Sequence, residues 1–217
     1  MTIRQFLHKP FTFAALALGL AFLQGCDPPL TSKRTVEQVG AVEIAEDAYF
    51  YPLPLTNTPM VGSFNQTITT AFGDNHQTFL SQLEIDKEQL TMVGLATFGA
   101  RIFTMKYDGA RLDFATIPQV ASKVRPESLL AEFQLASWPL EPIKEQMENS
   151  RPKTYWFTAP RKLEIEESEN NRSIYFGGLK VINIDYKDGE AGSKEIVFQN
   201  LDRGYTLYIT QFPETDF

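Results

Sequence analysis

Few side chains in this 217-residue chain could make or break bonds, and their spacing argues against most catalytic designs. Beyond residue 25 there is one histidine, His76, which follows Asp74 and Asn75. That count excludes histidine-based metal clusters and zincin-type motifs. A Ser-His-Asp relay could use only His76, and no glycine-flanked nucleophile turn lies near it, so a turn or surface position accounts for it better. Ser150-Arg151-Pro152-Lys153 has the Ser-x-x-Lys spacing of penicillin-recognising enzymes. That chemistry needs the serine at a helix start with the lysine one turn on, and Pro152 opposes such a turn. Glu164, Glu166, Glu167 and Glu169 could bind calcium weakly, but they lack EF-hand spacing and their alternation fits the solvated face of a strand. The dense glycine loops of phosphate binders are also missing. The expectation is a non-enzyme with no catalytic residue, no metal and no cofactor.

The firmest chemical signal is Cys26, the single cysteine. Arg4 and Lys9 form a positive start, and Phe11 to Phe22 is an apolar run interrupted only by Thr12 and Gly19. The run is shorter than the roughly 20 residues that span a bilayer core, and has the form of a secretory h-region. It ends in Leu23-Gln24-Gly25-Cys26, which resembles the lipobox of bacterial lipoproteins. The resemblance implies a diacylglyceryl thioether on Cys26, cleavage before it and an acylated amino terminus. An ordinary signal peptide with an incidental cysteine is the alternative. Two or more acyl chains anchor a protein stably where one holds only marginally, at about 0.8 kcal/mol per buried methylene. The expected location is a membrane surface facing the periplasm. Asp27 directly after the cysteine resembles the signal that retains lipoproteins in the inner membrane, and Pro28 is not among the residues that strengthen it.

Removal of residues 1–25 would take away two basic residues and no acidic one, so the net charge of −7 would fall to −9. The remaining chain is long enough for one domain with a real core. An acidic balance without a basic run argues against nucleic acid and against electrostatic adsorption to anionic lipid. With no second cysteine, no intramolecular disulfide can form, and burial alone must hold the domain.

The elements that would position any site are mostly strands. The chain divides into a signal peptide at 1–25, a tether with an extended or helical segment at 26–60, and a β domain at 61–217. The tether reaches to about Thr35, Val36 to Ala48 reads as weakly helical, and Tyr51-Pro52-Leu53-Pro54-Leu55 reads as a strap. Phe64, Gln66, Ile68, Thr70 and Phe72 then alternate with polar neighbours, as do Phe79, Leu83 and Ile85. Leu90 to Phe98 is apolar on both faces and reads as a central strand. Asp108-Gly109 between strand-like runs signals a hairpin. Similar runs from Leu163 to Phe212 bring the expected total to nine or ten antiparallel strands. One helical interval breaks the series: Pro126 fits a first helical position, Leu129, Leu130, Phe133 and Ala136 share a face, and Trp138-Pro139 ends it. Ile143 and Met147 suggest one more short turn. Such a curved sheet with a small helical cover could be filled or could leave an apolar cavity.

The run from Leu90 through Thr97-Phe98-Gly99 to Asp108-Gly109, then Pro118, Leu129-Leu130 and Trp138-Pro139, resembles the LolB family of outer-membrane lipoprotein receptors. More closely it resembles an uncharacterised LolB-related lipoprotein family often encoded near aryl-polyene and fatty-acid-like biosynthesis genes. The resemblance covers roughly Phe64 to Tyr208. It implies a mainly β fold in which a curved antiparallel sheet forms a half-open β-barrel with a helical lid, as in LolA and LolB. It further implies lipid or lipoprotein cargo held without catalysis, a soluble periplasmic carrier as partner, and outer-membrane residence. Phe98, with Gly99, matches a protruding delivery loop; the competing assignment is a core aromatic at a strand end. Candidate cavity residues are Leu83, Ile85, Met92, Phe103, Met105, Leu129 and Phe133, each of which ordinary core packing would also explain. The alternative function is a structural envelope lipoprotein with a filled core.

Overall fold

The structure, a computed structural model, describes residues 29–55, 60–149 and 163–213. Residues 1–28, including Cys26 and Asp27, and residues 150–153 lie outside the described part. The strands are β1 (Ser32–Val36), β2 (Val42–Ala45), β3 (Ala48–Phe50), β4 (Gly62–Phe72), β5 (Asn75–Ile85), β6 (Leu90–Ala96), β7 (Arg101–Tyr107) and β8 (Leu112–Thr116). After the helices come β9 (Leu163–Ser168), β10 (Asn171–Phe176), β11 (Leu179–Asp188), β12 (Lys194–Asn200) and β13 (Tyr205–Phe212). Eleven of them build one antiparallel sheet in the order β1-β8-β7-β6-β5-β4-β13-β12-β11-β10-β9, and β2 pairs with β3 in a separate hairpin. The sheet does not close on itself, since β1 and β9 are its edges.

Alternation sets which side chains face inward. In β5, Ser81, Leu83 and Ile85 are buried while Gln82 and Glu84 are exposed, so a slip of one residue would reverse the two faces. The Asp108-Gly109 hairpin forms between β7 and β8. The Asp108 carboxylate accepts the backbone N–H groups of Arg111 (2.7 Å) and Ala110 (2.9 Å), which holds it below the usual carboxylate range. Gly109 supplies the left-handed φ of 99° that the turn needs.

The N-terminal segment departs from the expectation. Instead of a helix over Val36 to Ala48, the chain makes the end of β1 and then the β2–β3 hairpin. Val42 and Ile44, and then Ala48 and Phe50, are buried two residues apart, which is the period of a strand and not of a helix. The turn between them places Asp47 at a φ of 61°. The expected tether is likewise structured from Ser32, because β1 pairs with β8 from Ser32↔Thr116 to Val36↔Leu112. Leu53 and Leu55 of the strap are buried. The Gln134 side-chain amide fixes that strap by accepting the Leu53 N–H at 2.8 Å and donating to the Leu53 carbonyl at 2.9 Å. Between Ser32 and Leu55 the described chain therefore contributes buried side chains to the core.

Among the described residues, three helices lie between β8 and β9: α1 (Pro118–Ala121), α2 (Pro126–Ser137) and α3 (Leu140–Asn149). Pro126 opens α2 as expected, and the Trp138 N–H closes it on the Gln134 carbonyl. Pro139 then prevents continuation. The Trp138 ring packs edge-on against Phe133 with centroids 5.3 Å apart. Helix α3 is ten residues long where one turn was expected, and α1 had no signal beyond Pro118.

Candidate functional site

Helix α2 lies on the inward face of the sheet without filling it, and between them is a cavity of about 470 Å³. Its buried floor is apolar except for Gln66 of β4: Ile68 from β4, Met92 from β6, Phe103 from β7 and Phe198 from β12, with Phe133 and Ala136 from α2. Phe79, Ile102, Leu129, Leu207 and Ile209 extend this wall and are half-buried. Phe103 owes its position to Gly94, its partner across β6 and β7: a Cβ there would sit 2.2 Å from the ring. The Phe103 ring packs edge-on against Phe79 and tilted against Phe114, with centroids at 6.0 and 5.6 Å.

The cavity has a direction. In an antiparallel meander successive turns alternate between the two ends of the sheet. The turns β4–β5, β6–β7, β10–β11 and β12–β13 fall at one end, and β7–β8 at the other. Lining residues at the first end are exposed (Phe72, Gln77, Thr78, Lys123, Arg125), so the mouth is there. Toward the opposite end the Leu53–Gln134 contact and the Tyr107 hydroxyl, which donates to the Gly109 carbonyl at 2.8 Å, close the space.

That division sorts the expected cavity residues. Met92, Phe103, Leu129 and Phe133 line the cavity. Leu83, Ile85 and Met105 do not: they are buried in the core with Leu53 and Leu55 of the strap, which crosses the closed end. Phe98 is 76% exposed at the β6–β7 turn, so it is not a core aromatic. Gly99 there has a φ of 90° and its N–H donates to the Ala96 carbonyl at 2.8 Å. The turn sits at the same end as the mouth.

One polar group in the wall had not been anticipated. Glu132 of α2 lines the cavity and accepts a hydrogen bond from the Tyr205 hydroxyl. Burial pushes the Glu132 carboxyl up to about 7, against the opposing effects of that hydrogen bond and of the Arg203 charge. Burial, and then the Glu132 charge, raise Tyr205 above the usual phenol range. Arg203 is held in turn by the Glu43 carbonyl at 2.6 Å and the Glu43 carboxylate at 3.5 Å. A signal was present: Glu132 stands three residues after Leu129 and four before Ala136, which puts an acid on the helix face read as apolar.

A titration consequence follows. Between the ordinary glutamate value of 4.5 and about 7 the folded protein binds more protons than the unfolded chain at this site. Its contribution to stability is full at the acid side and is lost as pH rises through that window. Glu132→Gln is expected to flatten the decline in urea midpoint between pH 4.5 and 7.5. An unchanged slope would show that the group is not shifted.

The other sequence candidates lie apart. His76 is exposed on β5, opposite Ala71. Glu164, Glu166 and Glu167 lie on the exposed strand β9, with Glu169 exposed in the turn after it, and Glu167 pairs with Arg172 at 2.6 Å. Among the described residues no group of three His, Cys, Asp or Glu is arranged to hold a metal ion, and no helix is long and apolar enough to cross a membrane.

Fold and site together define a mainly β protein in which an open antiparallel sheet and a crossing helix enclose an apolar cavity open at one end. The chain belongs to the family described as protein of unknown function DUF3261, whose model matches residues 63–213. No curated protein matches it.

Proposed function

We propose that this protein is a non-catalytic carrier or receiver of acyl chains, tethered to a membrane through Cys26 and working in the periplasm. The observation that carries this is the 470 Å³ apolar cavity under α2. It falls within the roughly 300–1,000 Å³ range of small-molecule sites, and the side chains at its floor are mostly apolar, which suits a chain. Each methylene moved from water into such a site gains about 0.8 kcal/mol. The open sheet with α2 across it fits the half-open barrel and lid that the LolB resemblance implies. A structural lipoprotein with a filled core has no use for this cavity.

The mouth end also bears exposed apolar residues at four turns: Phe72 at β4–β5, Phe98 at β6–β7, Leu179 at β10–β11 and Leu201 at β12–β13. In this reading they meet the membrane, with Phe98 foremost, and cargo passes between cavity and bilayer. Asp27 and the LolB resemblance point to different membranes, inner and outer, and fractionation of the wild type beside Asp27→Ser distinguishes them.

Mass spectrometry of organic extracts from the purified protein is expected to find acyl lipid in near-equimolar amount. Phe98→Asp is expected to retain that lipid while slowing its transfer to acceptor vesicles at least tenfold. Absence of lipid from the wild type sinks the carrier reading; wild-type transfer by the variant removes Phe98 from it.

A further inference from the structure

A row of polar side chains crosses the strands at the inner end of the cavity. On β4 the lining runs from Phe72 at the mouth through Thr70 and Ile68 to Gln66, where it stops. Gln66 lies six positions along the strand from Phe72, roughly 20 Å at about 3.4 Å per residue. It stands opposite Gln211 of β13 on one side and Ser81 of β5 on the other. Beyond Ser81 the row reaches Gly94 of β6, where the Phe103 ring lies over the glycine.

This row is buried without being satisfied. Gln66 is 3% exposed, and the hydrogen bond described for its side chain runs from Nε2 to the Gln211 Oε1 at 3.2 Å. A side-chain amide has two donors and two acceptor lone pairs, so that bond leaves a donor and the carbonyl oxygen for other partners. Ser81 is 1% exposed, and among the described residues its hydroxyl has no partner. An unpaired hydroxyl in a core is destabilising where an apolar residue would not be, so its presence calls for a physical reason. Thr104 has the same property, but it points outward, between the inward-facing Phe103 and Met105. Ser81 points inward with Leu83 and Ile85, and its neighbours Gln66, Phe79 and Met92 all line the cavity.

A hydrocarbon end reaching this row would leave both side chains unpaired. An ionised end would have no counter-charge, because the described lining residues from β4, β5, β6 and β7 include no charged side chain. A neutral hydroxyl fits, since it can donate to the Gln66 carbonyl oxygen and accept from the Ser81 hydroxyl. We infer that Gln66 and Ser81 form a recognition site for an uncharged hydroxyl, and that the ligand is a single-chain lipid whose inserted end carries it. The hydrocarbon then lies against Ile68, Phe79 and Phe133 on the way to the mouth. This rests on the acyl-binding reading above and adds to it a polar group and a direction.

The test uses the full chain in amphipol with Nile red as the cavity probe. 1-Dodecanol and 1-chlorododecane, equal in chain length but only one with an O–H group, compete for it, and glycerol is the chainless control. Each displacement is referred to the dye affinity of the same variant. Ser81→Ala with Gln66→Met is expected to raise the dodecanol concentration needed by about tenfold, while the chloride displaces as well as before or better. Ser81→Ala alone removes no described hydrogen bond, so it should keep the fold and move dodecanol the same way by about threefold. Urea midpoints at or above the wild-type value confirm folding. Equal effects on the two competitors, as a water held by the row would give, overturn the hydroxyl site and leave acyl binding standing; so does displacement by the chloride alone. If neither chain-bearing competitor displaces the dye from the wild type, or glycerol does so equally well, the acyl-binding reading falls with the site.

Discussion

Thr70→Trp is expected to remove most bound acyl lipid while leaving the fold intact. Thr70 lies on β4 near the mouth, half-buried, and lines the cavity between Leu207 of β13 and Gln77 of β5. Tryptophan is well accepted in strands, and here its ring meets cavity space and not close-packed core. The one interaction lost is a long hydrogen bond from the Thr70 hydroxyl to the Gln77 carbonyl, at 3.3 Å. Stability should change by no more than about 1 kcal/mol. An indole that excludes two methylenes from the cavity withdraws about 1.6 kcal/mol of transfer energy, and each further methylene adds about 0.8 kcal/mol. Binding should therefore weaken at least tenfold. Thr70→Val, which keeps the volume and drops the hydroxyl, should bind like the wild type. Full lipid occupancy in Thr70→Trp, with its urea midpoint unchanged, would mean that cargo does not use this cavity.

The strands were legible in the sequence wherever one face meets water. Leu83 and Ile85 against Gln82 and Glu84, or Ile68 against Thr67 and Thr69, alternate because each strand has a wet and a dry side. Asp108-Gly109 and Pro126 were legible because a single local requirement, a left-handed turn or a fixed φ, picks out those residue types. Val36 to Ala48 was misread because its four buried residues, Val42, Ile44, Ala45 and Ala48, also satisfy a loose helical pattern. The division of Leu83, Ile85 and Met105 from Met92 and Phe103 was not legible at all. All five face inward, and only the placement of the strap, remote in sequence, decides which end of that face is filled.

The largest loss of stability is expected at Arg172, which pins the far end of α2. The last four carbonyls of a helix have no partner within it, and buried ones must find partners elsewhere. Here Arg172 of β10, only 4% exposed, donates through Nη1 to the Leu135 carbonyl at 2.6 Å and to the Trp138 carbonyl at 2.8 Å. Its Nη2 and Nε reach the same Glu167 oxygen at 2.6 and 3.2 Å. Tyr186 of β11 supplies the neighbouring contact, donating its hydroxyl to the Ala136 carbonyl at 2.9 Å, and burial pushes that phenol up to about 12. Arg172→Ala removes the donors and strands two carbonyls in the core, while the Glu167 carboxylate, 30% exposed, can turn to water. The cost is set by the carbonyls and the vacated space, at about 3–5 kcal/mol. That is a large share of the roughly 5–15 kcal/mol by which a domain is stable. Tyr186→Phe, which leaves one carbonyl unpaired, should cost about 1–2 kcal/mol. Lysine at 172 should fall between, because a single ammonium cannot present the guanidinium fork to both the helix end and Glu167. Urea midpoints at neutral pH check the order, with the slope of the transition unchanged if the native state stays compact. A loss below about 1 kcal/mol in Arg172→Ala would show that the helix end is satisfied by water and not by this side chain. If the loss is as large as expected, the C-terminal end of α2 is a fixed wall, and any widening of the mouth must come from its N-terminal side.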